Sequence, residues 1–116
     1  MPKADAVKWT GLQGTAGVTI DVVHQEGFQD TLVEVVLRGA GPDIDRALTS
    51  AQFHMELKPG LTVQEPPVGF DATELAAVRS AQESWTNSAG QRVYRNAIRG
   101  QLGSGDELLF FTAFST

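Results

Sequence analysis

The sequence predicts an all-β domain, a jelly-roll or immunoglobulin-like β-sandwich of about seven to nine strands over residues 1–116. Three observations predict it. Apolar and polar residues alternate with a period of two over 18–25, 31–38 and 51–57, which puts one set of side chains on each face of a strand. Twelve glycines and five prolines are spread along the chain, as many short turns require. Only one segment, near 72–80, carries a helical spacing.

The elements follow in chain order. Val7 and Trp9, two apart in a polar N-terminus, predict a short first strand. Gly11–Gly17 is a glycine-spaced loop that fits no phosphate- or dinucleotide-binding spacing. Residues 17–25 are a strand, with Val18, Ile20 and Val22 on one face, and Glu26-Gly27 turns it. Thr31–Arg38 is a second strand, rich in β-branched residues. Gly39–Asp43 is a loop by composition. Thr49–Val63 is a strand that sets Ala51, Phe53, Met55 and Leu57 against Gln52, His54, Glu56 and Lys58, turns at Pro59-Gly60 and resumes at Leu61 and Val63. Asp71–Glu74 has the form of a capping box, and Leu75, Val78, Gln82 and Trp85 share a helical face, which predicts one short helix near 72–80. A strand through the same residues is the competing reading. Asn87–Gly90 joins 82–86 to 91–99 as a hairpin; Val93 and Ile98 face opposite ways unless a bulge intervenes near Asn96. Glu107–Ser115 is apolar on both faces, so it is central or its second face is covered.

Composition excludes several functions. The net charge of −5 argues against nucleic-acid binding by phosphate neutralisation. The charge is uneven: residues 1–78 carry a net −6 and residues 79–116 a net +1. With no cysteine, disulfides, thiolate metal sites and a cysteine nucleophile are ruled out. No apolar run approaches the ~18 residues of a membrane span. Residues 1–5 lack the apolar core of a signal peptide, so the protein is cytoplasmic, or extracellular if the start has been trimmed.

Candidate chemistry is sparse. His54 and Glu56 share a strand face but lack a third metal ligand nearby, and read as surface residues. Asp43 and Asp45 resemble a calcium-loop fragment without its glycine and terminal glutamate, and read as a solvated turn. No nucleophile elbow occurs, and no metal, cofactor or enzymatic activity is expected. Trp9, Trp85 and Tyr94 are the planar residues that a polysaccharide-binding face uses, although three aromatics in a β-domain are as often packing. Arg92, Arg95 and Arg99 read as a solvated strand edge.

Several of these segments are similar to those of cohesin domains, the jelly-roll modules of cellulosome scaffoldins. Asp30–Gly39 resembles an early cohesin strand, and Leu48–Pro59 the next, with Leu57-Lys58-Pro59 where the family has Tyr-Asp-Pro. Leu61–Val63 and Val68-Gly69 resemble the following steps, and Gly90–Tyr94 and Gly105–Phe111 the later strands. The resemblance implies a non-enzymatic protein-binding module whose partner, a dockerin-like protein or a second copy, docks on outward residues of the strand 50–58. Here those are Ser50, Gln52, His54 and Glu56. Carbohydrate binding through Trp9, Trp85 or Tyr94 is the alternative.

The last strand presents Leu108, Phe110 and Phe114 on one face and Leu109 and Phe111 on the other. Each ring left in water forgoes several kcal/mol, at ~25 cal/mol per Å2. The segment Leu75–Trp85 or a second copy should therefore cover one face. Because the family's closing strands are missing, a homodimer or larger assembly is expected, with the 17–25 strand filling part of the sheet.

Overall fold

The computed structural model describes residues 2–27, 30–60 and 75–115, and of Val23 the backbone alone. The elements are α1 (Lys3–Trp9), β1 (Thr19–Gly27), β2 (Thr31–Gly39), α2 (Gly41–Ser50), β3 (Lys58–Pro59), β4 (Ala76–Thr86), β5 (Arg92–Gln101) and β6 (Glu107–Ser115). Among the described residues the strands form one antiparallel sheet of six in the order β1-β2-β6-β5-β4-β3. The chain is thus mostly antiparallel β-sheet with two short helices.

Two strands follow from the period-two pattern and two from the hairpin signal. β1 and β2 form within two residues of their expected bounds, and β4 and β5 form the expected hairpin around Asn87–Gly90. β6, apolar on both faces, lies between β2 and β5, as a strand buried on both sides must. β5 pairs with β6 without a shift from Tyr94 to Gln101, so no bulge falls at Asn96. Val93 and Ile98 are accordingly buried on opposite faces.

One face carries the main core. Val33, Val35 and Leu37 of β2 and Leu109, Phe111 and Ala113 of β6 pair across the sheet. Ala6 of α1 and Ile44, Ala47 and Leu48 of α2 pack on them. The next strands place only Ala97 and Ala81 in the row of Phe111. Those small side chains leave room for Phe53, whose ring meets Phe111 edge-on at 5.7 Å.

Three expectations are corrected. The N-terminus is a helix, not a strand: Pro2 starts it, Val7 is its only β-branched residue, and Ala6 supplies the buried contact. The strand expected over 49–58 is the end of α2 followed by an irregular connection, and only Lys58–Pro59 pairs with β4. Pro42 sits in the first turn of α2, and Ile44, Ala47, Leu48 and Ala51 fall at helical spacing on its buried side. The alternation 51–57 was coincidental: Ala51 and Phe53 are buried, but Met55 is half exposed. The helix expected near 72–80 is replaced over 76–80 by β4, which the hairpin with β5 holds in register; residues 72–74 lie outside the described residues. A register shift between Ala76 and Arg79, with Ala77 at φ 52°, accompanies the packing of Leu75 and Val78, three apart, in one cluster, which imitates the helical spacing. Leu61, Val63 and Asp71–Glu74 also lie outside the described residues.

The opposite face is built in rows across the strands. Leu32, Phe114 and Tyr94 form one row, Glu34, Thr112 and Asn96 the next, and Val36, Phe110 and Ile98 a third. Leu75, Val78 and Leu108 pack on the third row, so part of the expected cover does come from the 75–85 segment. In the first row the Tyr94 ring stacks on Phe114 at 5.3 Å and remains 39% exposed.

Candidate ligand-binding cleft

Both helices end at the same place, over the β4–β5 hairpin. The end of α1 brings Trp9 and Gly11, the end of α2 brings Ser50, Ala51 and Gln52, and the hairpin brings Trp85, Asn87, Ser88 and Gln91. Between them lies a cleft of about 460 Å3.

Helix C-termini gather unpaired carbonyls and partial negative charge, so their convergence needs a cation. Arg95 of β5 supplies it. Its side chain is fully buried. Nη1 donates to the carbonyls of Thr10 (3.0 Å) and Ala51 (2.6 Å), the residues that cap α1 and α2. Nη2 donates to Gln52 O (3.2 Å) and Glu83, and Nε to Glu83 Oε1 (3.0 Å). A guanidinium has five N–H donors in a planar fork, and each has an acceptor here. The Trp85 ring covers the guanidinium, 4.1 Å from its carbon, a cation–π arrangement. Burial lowers the Arg95 pKa and Glu83 opposes that shift; the group stays charged.

Gly11 makes this approach possible. It has φ +95°, and a Cβ there would lie 2.7 Å from Arg95 Nη1 and 3.0 Å from Trp85 Cη2. Gln52 does the reverse. α2 ends in a Schellman turn, with Phe53 N–H donating to Leu48 O (3.1 Å) and Gln52 N–H to Thr49 O (3.0 Å). The left-handed position of such a turn is usually glycine, yet Gln52 holds it at φ 58°. Its side chain accepts from Trp85 Nε1–H at 3.4 Å.

The polar lining is held in place. Asn87 Oδ1 accepts from the N–H groups of Ala89 (3.0 Å) and Gln91 (2.9 Å) and orders the hairpin loop. Ser50 Oγ donates to Ala47 O at 2.6 Å and accepts from Gln13 N–H at 3.2 Å. Among the described residues the lining holds no carboxylate and no imidazole. It offers indole faces, amides, hydroxyls and the Lys8 ammonium, groups suited to stacking and hydrogen bonding.

A second ion network lies on the same sheet face, at the start of α2. Arg99 Nε and Nη2 bind the Glu107 carboxylate at 2.7 and 3.0 Å, Nη2 also reaches Gly41 O (3.0 Å), and Nη1 pairs with Asp45. Burial would lower the Arg99 pKa, but hydrogen bonds and charge from Glu107 and Asp45 outweigh it and raise it. Asp43 binds Arg46 at 2.9 Å. Both aspartates of the supposed calcium loop therefore have basic partners, and no group of three potential metal ligands occurs among the described residues.

The cleft unites parts of two expected sites. Trp9 and Trp85 of the carbohydrate set meet Ser50 and Gln52 of the partner set. Tyr94 is on the opposite sheet face. His54 and Glu56 are exposed in the connection after α2 and do not line the cleft, so the four partner residues share no strand face. The arginines are the clearest correction: Arg95 and Arg99 are 0% and 5% exposed, not a solvated edge. A hairpin loop of Asn87–Gly90 places Glu83 opposite Arg95, and that pairing was the available signal.

The chain matches no protein-family model, no curated protein and no solved structure. Among the described residues no helix is long and apolar enough to cross a membrane.

Proposed function

We propose that the protein is a non-enzymatic binding module that takes a saccharide ring in the cleft between Trp9 and Trp85. The observation that carries this reading is the convergence of two tryptophans, distant in sequence, on a cleft lined with ordered amides and hydroxyls. Indole faces stack on the apolar face of a pyranose, and Gln52, Asn87, Gln91 and Ser50 match its hydroxyls as donors and acceptors. Affinity electrophoresis against soluble polysaccharides tests it. Retardation lost in Trp9→Ala and Gln91→Ala but kept in Tyr94→Ala, on the far face, supports the reading. No retardation by any polysaccharide overturns it.

The protein-partner reading keeps one specific support, with its surface moved from 50–56 to the open sheet face. There Tyr94 and Phe114 stand beside Leu32, and the Thr112 hydroxyl is buried with no hydrogen-bond partner among the described residues. A dockerin-like partner, or the sheet of a second copy, closing on this row would give the sandwich and the assembly expected from the cohesin resemblance. Light scattering showing a 12.4 kDa monomer at high micromolar concentration, unchanged by Tyr94→Glu, would sink the self-association.

A further inference from the structure

The saccharide cleft is continuous with a larger groove. A space of about 850 Å3 runs along α1, walled by Val7, Leu12 and Ile20, and shares Lys8, Gln13 and Ser88 with the cleft. The protein as a whole is acidic, with 14 carboxylates against nine basic side chains. Yet among the described residues the only charged side chains lining either space are Lys3 and Lys8. Of these two, Lys3 is already paired with Asp21 at 3.6 Å, and the neighbouring Glu83 is turned to Arg95. Lys8 has no ion-pair partner among the described residues. The carbonyls that would make this end of the helices negative are taken up by Arg95.

Resting on the saccharide reading, we infer that the ligand is an acidic oligosaccharide. One ring stacks between Trp9 and Trp85, and the chain continues along α1 with a carboxylate on Lys8. The cleft alone has room for little more than one or two rings, so the shared wall at Lys8 and Gln13 is where a longer ligand must pass. An anionic substituent arriving there meets an ammonium group and no competing carboxylate. The groove's apolar wall suits the C–H faces of successive rings, and the Lys8 ammonium group is exposed to an arriving ligand.

Isothermal titration calorimetry tests this on the full chain with three probes: a uronic-acid oligosaccharide, its neutral counterpart of equal length, and a sulfated glycan, each in low and high salt. The uronate should bind most tightly and weaken as salt rises. Lys8→Gln should weaken it about threefold, the size of one exposed ion pair, and leave the neutral probe unchanged. Trp9→Ala should weaken the uronate and the neutral probe alike. Equal affinity for uronate and neutral probes, with no effect of Lys8→Gln, overturns the acidic-ligand inference and leaves the saccharide reading standing. Binding of the sulfated glycan that survives Trp9→Ala is non-specific polyanion attraction and also overturns it. Failure of all three probes to bind the folded protein overturns both.

Discussion

Replacing Arg95 by methionine tests the account of the helix ends most severely. The change keeps an unbranched stem of similar bulk but removes a fully buried cation. Three backbone carbonyls, those of Thr10, Ala51 and Gln52, lose their donor, and Glu83, only 12% exposed, keeps a carboxylate with no cation beside it. Removing one partner of a buried ion pair costs about 3–5 kcal/mol, because the remaining charge is stranded. A chain of 116 residues is stable by something on the order of 6–17 kcal/mol, so the variant should fold with a melting temperature lowered by about 10–20 °C. Urea unfolding followed by tryptophan fluorescence reads the loss directly, since Trp85 lies on the guanidinium. Arg95→Lys should retain about half the lost stability, having the charge without the planar fork. Adding Glu83→Leu to Arg95→Met should restore part of it by removing the stranded charge. A loss below about 1 kcal/mol for Arg95→Met, or no recovery in the double variant, would show that Arg95 does not hold the helix ends in this way.

Gly11→Ala should destabilise by about 2 kcal/mol in the same assay, from the positive φ and the contacts with Arg95 and Trp85, and an unchanged midpoint contradicts the packing described. Gln52→Gly should raise stability by about 0.5–1 kcal/mol by relieving the left-handed backbone, while weakening saccharide binding in calorimetry; a fall in the urea midpoint argues against strain at that position. Arg99→Met should cost about 2–4 kcal/mol, almost all through Glu107, since Asp45 is 68% exposed; an equal loss from Asp45→Ala would show that assignment to be wrong.

The sheet was legible because β1 and β2 alternate, β6 is apolar on both faces, and the turns are marked by glycine. Thr31–Gly39 and Glu107–Ser115 each pair with a neighbour over their full length, and neither depends on a residue that departs from local preference. The helices were not legible, for two physical reasons. α1 is too short, at seven residues, to show a repeating face. α2 lacks the usual stop signal, because Gln52 stands where a glycine would announce the end of a helix. Its N-terminal Gly41-Pro42-Asp43 reads equally well as a turn, and its last apolar residue, Ala51, leads into a stretch that alternates by chance. Of the cleft, the two tryptophans were legible by residue type. Their meeting was not, since it depends on where two unrecognised helices end. The burial of Arg95 followed the same course: it could be judged solvated only while nothing was known to lie over that face.

Three departures from local preference gather at the cleft. A left-handed glutamine, a glycine squeezed against an indole and a buried guanidinium all lie at the place where α1 and α2 terminate. Glycine at position 52 would end α2 with less strain, but only a residue with a long polar side chain reaches Trp85 Nε1 from there. Arg95 spends every donor on the protein, so it fixes the cleft without recognising a ligand. On the saccharide reading, recognition would fall instead to side chains anchored from beneath, the indole over Arg95 and the amides ordered by Asn87, with the exposed Lys8 at the mouth. A rigid base under an exposed, polar and aromatic lining favours binding a ligand in one orientation, because little side-chain freedom remains to be lost when it arrives.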